Sequence, residues 1–152
     1  MVKKTLQLLQ LETKMQMYPR TMAGVSPPTG WLKAIRVALG MSLEQVASKS
    51  SITRQSIREI ELREMEGTIT LKTLRQTAKA MDMEVVYGLV PVDGSLEALI
   101  DRKARELASM IVSRTTHTMK LEDQENSKER IAKAIEERTA LLKYEMPKTL
   151  WD

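Results

Sequence analysis

Hydrophobic residues recur at three- and four-residue spacing over residues 31–81, which is the period of α-helices that bury one face. Short polar turns divide this region into four such stretches. Ser42 opens the second stretch, and Gln45 completes a capping-box pattern with it. Thr53 and Thr70 are favourable N-cap residues for the third and fourth stretches. The region therefore predicts four short helices.

Glycines and caps set the expected bounds of these helices. Gly40 is placed to end the first helix in a left-handed conformation, and Gly67 interrupts the loop after the third. The predicted helices cover residues 31–39, 43–49, 54–61 and 71–81.

A segment rich in β-branched residues follows, from Met83 to Val90, and it ends at Pro91. It predicts one isolated strand. Because a lone strand cannot satisfy its own backbone hydrogen bonds, we expect it to pair with the same strand of a second copy. The dimerisation residues would be Val85, Val86, Tyr87 and Leu89.

The flanking regions are also helical in pattern. Leucines and methionines at helical spacing predict a short helix over residues 5–17, and a linker containing prolines and glycines follows it. Two amphipathic helices are expected after Ser95. The expected segments are an N-terminal helix and flexible linker (1–28), a domain of four short helices (29–82), the isolated strand (83–92) and a C-terminal helical region (93–152).

The second and third helices have the spacing of a helix-turn-helix. This motif needs a small residue where the helices touch, a turn residue that tolerates positive φ four positions later, and apolar residues inside the second helix. Ala47, Ser51, Ile57 and Ile60 occupy these offsets. Ser51 stands where glycine is usual, and a left-handed serine costs on the order of 1 kcal/mol.

The outward start of the third helix is expected to read DNA bases. Arginine bonds bidentately to guanine and glutamine to adenine, each giving roughly 1–3 kcal/mol of discrimination. The expected base contacts are Thr53, Arg54, Gln55 and Ser56, and the expected phosphate contacts are Ser42, Lys49, Arg58, Arg63 and Lys72. The alternative is that these polar side chains are only solvated.

The segment from Leu39 to Glu61 resembles the Cro and lambda-type repressor superfamily, often called Xre-like. The resemblance implies that Arg54 and Gln55 are the base readers, and that Arg36 forms a partly buried structural ion pair with Glu61. The expected fold class is mainly α: a lambda-repressor-like helix-turn-helix bundle with one C-terminal β-strand and appended α-helices.

Several short strings over about residues 29–124 together resemble the mobile mystery protein A family. They are Gly30-Trp31, Ala34-Ile35-Arg36, Ala38-Leu39-Gly40-Met41, Thr70-Leu71-Lys72-Thr73-Leu74, Val86-Tyr87-Gly88-Leu89-Val90-Pro91 and Thr118-Met119-Lys120-Leu121-Glu122-Asp123-Gln124. Members of that family are paired with a Fic-domain protein. The resemblance therefore implies an antitoxin that represses its own operon.

Antitoxins of Fic enzymes often carry Ser/Thr-x-x-x-Glu-Gly/Asn, whose glutamate blocks ATP at the Fic site. Thr118 and Glu122 match this pattern, but Asp123 stands in the last position. The resemblance implies toxin inhibition by Thr118 and Glu122. The alternative is an ordinary helix start, with Thr118 as its cap and Glu122 in a first turn that favours negative charge.

The composition narrows the function classes. The chain has no cysteine and one histidine, His117, which excludes disulfides, thiol catalysis and most Cys/His zinc sites. Its eleven methionines are expected to fill helix packing, and we expect no metal, cofactor or enzymatic activity. Aromatic residues are scarce, which argues against binding of single-stranded nucleic acid through base stacking. The longest apolar run is far shorter than the roughly 20 residues of a membrane span, so we expect a cytoplasmic protein without membrane contact.

The net charge of +4 is mildly basic, and the basic excess lies in residues 1–92. The helix-turn-helix pattern and this charge together predict a homodimeric, sequence-specific regulator that binds double-stranded DNA, with a helix-turn-helix DNA-binding domain at residues 29–82, a dimerisation strand at 83–92 and a C-terminal partner-binding region at 93–152. The resemblance to the mobile mystery protein A family further implies an antitoxin that neutralises a Fic-type toxin. One alternative is a protein-binding adaptor that keeps the helix-turn-helix fold without a toxin partner. Another is the targeting subunit of a DNA-modifying enzyme.

Overall fold

The structure is a computed structural model that describes residues 2–116 and 124–152. Its α-helices are α1 (Val2–Met15), α2 (Trp31–Ala38), α3 (Leu43–Ser50), α4 (Arg54–Glu66), α5 (Leu71–Lys79), α6 (Leu96–Thr116) and α7 (Gln124–Glu145). Short 3₁₀ helices lie at Arg20–Met22 and Lys148–Trp151. No helix in these two ranges is long and apolar enough to cross a membrane.

The chain forms two compact units. One unit contains residues 21–88 with α2, α3, α4 and α5, and the other combines residues up to Arg20 with residues 89–152. Each unit has its own hydrophobic core.

Side-chain caps begin three of the helices in the first unit. The Ser42 hydroxyl accepts a hydrogen bond from the Gln45 backbone N–H at 3.1 Å, and the Gln45 side chain accepts one from the Ser42 N–H at 2.8 Å. Thr53 and Thr70 cap α4 and α5 through backbone N–H groups three residues later, at 3.1 and 3.2 Å. These local bonds explain why the helices start where the sequence pattern places them.

The core of the first unit takes side chains from all four helices and the turn after α5. The buried members are Leu32, Val46, Ala47, Ile57, Ala78 and Met81. Helix α4 continues to Glu66 and ends at Gly67, which has a φ of 74°. It is therefore five residues longer than the pattern predicts, because no residue before Gly67 stops it.

The predicted C-terminal β-strand is wrong. Residues 83–91 belong to no helix and no strand, and the described part of the chain is helical without any sheet. Within it, Val85 packs against the hydrophobic core and the Arg75 guanidinium lies 5.3 Å from the centre of the Tyr87 ring. β-Branched residues favour a strand through side-chain packing, but a strand also needs a backbone partner, and the described residues provide none.

The second unit is built on the antiparallel pair α6 and α7. Ala104 and Ala108 are fully buried, and their small side chains allow close approach to Leu142 of α7. The Lys143 ammonium lies 2.8 Å from the Asp101 carboxylate and links the end of α7 to the start of α6.

Helix α1 belongs to this second unit. Leu8 packs against the core of α6 and α7, and the Glu12 carboxylate accepts a hydrogen bond from the Leu96 N–H at 2.7 Å. Glu12 thus caps α6 from a distant part of the chain, next to the local cap that Ser95 supplies to Ala98. The sequence pattern does not indicate this grouping of the chain's two ends.

Candidate nucleic-acid interface

A three-residue turn joins α3 to α4. Ser51 has the left-handed conformation, with φ 54° and ψ 37°. The turn is closed by the Ile52 N–H, which donates to the Ala47 carbonyl at 3.1 Å. Ala47 and Ile57 both lie in the buried core, so the two helices meet through a small residue and a branched one. This geometry fixes the direction in which α4 leaves the turn.

Helix α4 has a buried face and an exposed face. Ile57 and Glu61 are buried, and residues on the opposite side of the helix lie in solvent. With 100° of rotation per residue, Gln55 and Glu59 lie near the centre of the exposed face. A helix presented in this way can enter the major groove with its first two turns.

Arg54 and Gln55, the expected base readers, are exposed at the start of α4. Arg54 makes no side-chain hydrogen bond or ion pair to any residue of the described ranges. The Gln55 amide nitrogen lies 3.5 Å from the Glu59 carboxylate, a long hydrogen bond across one turn. Both side chains are thus available to a partner outside the chain.

Thr53 and Ser56, the other two expected base contacts, are engaged with each other. Their hydroxyl oxygens are 2.8 Å apart, and the Thr53 hydroxyl also accepts the Ser56 N–H. Ser56 is half-buried. In the structure, the Thr53 side chain therefore caps α4.

A buried ion pair supports α4 from behind. The Arg36 Nε and Nη2 atoms donate to the two Glu61 carboxylate oxygens at 2.6 and 3.1 Å, and Nη1 donates to the Met41 carbonyl at 3.1 Å. The side chains of Arg36 and Glu61 are only 13% and 7% exposed. The hydrogen bond to Glu61 raises the pKa of Arg36 above its ordinary value. Arg36 thereby ties α2, the turn after it and α4 together.

In the comparison with protein families, residues 32–87 match a family described as Helix-turn-helix. Residues 32–87 form a helix-turn-helix domain. It is of the DNA-binding, Xre/Cro-like type, and the match leaves α1, α6 and α7 outside. Comparison with curated proteins gave no significant match, and comparison with solved structures gave none either.

The expected phosphate-binding residues are spread over the surface of the helix-turn-helix domain. Lys49, Arg58, Arg63 and Lys72 are exposed, and none has an acidic group within 4 Å in residues 2–116 or 124–152. Ser42 is exposed as well and caps α3. These four side chains thus form no ion pair with the described residues, and their charges can attract the phosphate backbone of DNA.

Glu64 is a structural residue that the sequence reasoning missed. Its carboxylate accepts the backbone N–H groups of Trp31 and Leu32 at 2.7 and 2.8 Å. Gly30 precedes α2 with φ 81° and ψ 158°, and a Cβ atom there would lie 3.0 Å from the Glu64 carboxylate oxygen. Glycine has no side chain that could cap α2, so the first backbone N–H groups of α2 need an acceptor from elsewhere in the chain. The lack of a capping side chain at Gly30 was the sequence signal for such an acceptor.

The expected dimerisation residues are in different environments. Val85 is half-buried against the core of the helix-turn-helix domain. Val86 and Leu89 are 74% and 77% exposed, and Tyr87 is also exposed beside Arg75. Thr118 and Glu122, the expected toxin-inhibiting residues, lie outside the described residues.

Proposed function

We propose that the protein is a sequence-specific transcriptional regulator that places α4 of its helix-turn-helix domain in the major groove of double-stranded DNA. The observation that carries this proposal is the exposed start of α4, where Arg54 has no ion pair among the described residues, on a helix that the Arg36–Glu61 ion pair ties to α2. Arg54 would read guanine and Gln55 adenine through bidentate hydrogen bonds. Lys49, Arg58, Arg63 and Lys72 would contact phosphates.

Substitution of Arg54 tests this proposal. Binding to the DNA upstream of the protein's own gene is measured by fluorescence anisotropy for the wild type, for Arg54→Ala and for Arg130→Ala. Arg130 is an exposed arginine of α7, so its substitution changes the net charge equally. Arg54→Ala should weaken specific binding by about 1–3 kcal/mol and relax the preference for sequence. Arg130→Ala should bind like the wild type.

The adaptor hypothesis predicts a different result. If the wild type binds no DNA at any salt concentration, the domain serves protein contacts only. Equal loss of affinity in both variants would also count against base reading by Arg54, because it would show only an effect of net charge.

We further propose that the regulator acts as a homodimer. Two copies of α4 would then read half-sites one DNA turn apart. The exposed side chains of Val86 and Tyr87 in the helix-turn-helix unit support this part, since apolar side chains exposed to water favour association.

The identity of a protein partner rests on the resemblance to the mobile mystery protein A family. We propose on that basis that the protein is an antitoxin that represses a toxin–antitoxin operon and neutralises a Fic-type toxin. Co-expression with the protein of the neighbouring reading frame should yield a complex in which nucleotidyl transfer is suppressed. A Glu122→Ala variant that suppresses the transfer at full strength would remove Glu122 from the inhibitory role.

A further inference from the structure

Glu59 is the acidic residue within the first two turns of α4, on the face that the helix-turn-helix domain exposes. It lies one turn after Gln55 and close to the centre of that face. A carboxylate at this position repels phosphates, so it weakens binding to DNA in general. If α4 enters the major groove, a favourable contact of Glu59 with a base would offset its repulsion of the phosphates.

No basic side chain of the described residues neutralises the carboxylate of Glu59. No lysine or arginine in the described ranges lies within 4 Å of it, although Arg63 follows one turn later on the same helix. Its contact within the chain is the amide nitrogen of Gln55, at 3.5 Å. Glu59 is exposed, and its second carboxylate oxygen accepts no hydrogen bond from the described residues, so it is open to a partner outside the chain.

The chemistry of the major groove limits what such a carboxylate can bind. A carboxylate accepts hydrogen bonds and donates none, so it is repelled by guanine O6 and N7 and by thymine O4. It pairs with the exocyclic amino group of cytosine, and less well with that of adenine, because the adenine N7 acceptor lies beside that amino group. Gln55 donates one N–H of its amide to Glu59, so the amide oxygen and the other N–H stay free. The oxygen can accept from adenine N6, and the N–H can donate to adenine N7.

We propose that Glu59 is a specificity-determining residue that reads the amino group of a cytosine beside the base read by Gln55. This inference rests on the proposed function. Glu59 accepts a hydrogen bond from the cognate cytosine and rejects guanine and thymine at that position by repulsion, while the N7 acceptor beside the amino group of adenine disfavours adenine. The residue gains discrimination at the expense of affinity for unrelated DNA.

The experiment is a selection of preferred sites from random double-stranded DNA with the wild type, Glu59→Gln and Glu66→Gln. Glu66 ends the same helix about 10 Å further along its axis, near the same face, and has no ion pair in the described residues. The two variants change the net charge equally. Both positions are exposed, and thermal unfolding checks that each variant folds like the wild type.

The wild type and Glu66→Gln should prefer cytosine at one base pair of each half-site. Glu59→Gln should lose that preference by about tenfold and bind unrelated DNA more tightly. Unchanged preference at every position in Glu59→Gln, or equal changes in both variants, would overturn the role of Glu59 alone. A wild type that selects no sequence would instead overturn the proposed function.

Discussion

Ser51 adopts the left-handed backbone conformation. Glycine reaches this conformation at no steric cost, whereas serine reaches it only with strain. Ser51→Gly should therefore raise the free energy of unfolding by up to about 1 kcal/mol, measured by urea denaturation. Ser48→Gly is the matched control, because it puts glycine inside α3 and should lower stability by about 0.5 kcal/mol. Equal or lower stability of Ser51→Gly relative to the wild type would contradict the strain assigned to the turn.

Glu61 compensates the charge of a mostly buried arginine. Glu61→Gln should lower the free energy of unfolding by about 3–5 kcal/mol, because Arg36 then keeps its charge without a carboxylate. The double variant Arg36→Met with Glu61→Leu should recover much of that loss, since it removes both charges. Exposed Glu66→Gln serves as control and should stay within about 0.5 kcal/mol. A Glu61→Gln variant as stable as the control would refute this account of the ion pair.

The site residues differ in how far the sequence could predict them. The exposure of Arg54 and Gln55 follows from the 3.6-residue period once Ile57 is assigned to the core. The contact of Glu64 with the start of α2 does not, because it joins residues more than 30 positions apart and depends on how α2 and α4 pack. Local periodicity predicts a face of a helix, while tertiary packing decides its partner.

At the scale of elements, the ion pair between Asp101 and Lys143 links α6 to α7. The hydrogen bond from Lys143 holds the pKa of Asp101 below its ordinary value. A lowered pKa in the folded state means that the pair stabilises the fold above about pH 4 and that this contribution is lost as the pH falls further. Asp101→Asn should cost under about 1 kcal/mol at pH 7, since the pair is partly exposed.

Thermal unfolding between pH 7 and pH 3 measures this contribution. The difference between the wild type and Asp101→Asn should shrink as the pH falls below about 4. Glu136→Gln, at an exposed acid inside α7 without an ion pair in the described residues, is the control and should unfold in parallel with the wild type. A constant difference at all pH values would exclude Asp101 as the group responsible.

The beginnings of the helices could be predicted better than their ends or pairings. Ser42, Thr53 and Thr70 cap helices through bonds that span three residues, so the sequence alone indicates them. The prediction of a strand over residues 83–90 was wrong because β-branched residues favour the extended conformation without supplying a second strand to pair with. The contact of Glu12 with Leu96 spans 84 positions and has no local signal.

At the scale of the whole molecule, the proposed homodimer is tested by light scattering at micromolar concentration. The wild type should have twice the 17.3 kDa mass of one chain. Val86→Asp places a charge on an exposed apolar residue and should give the monomer mass. Val25→Asp, also at an exposed valine, should remain dimeric. A wild type of 17.3 kDa would contradict the dimer.

Specific DNA binding is the central claim, and an equilibrium titration of the wild-type protein tests it most directly. The protein is titrated into DNA from upstream of its gene and into a scrambled duplex of the same composition, at several salt concentrations. The upstream DNA should bind about 10³-fold or more tightly, and both affinities should fall as salt rises. Equal affinity for the two duplexes at every salt concentration would contradict the claim.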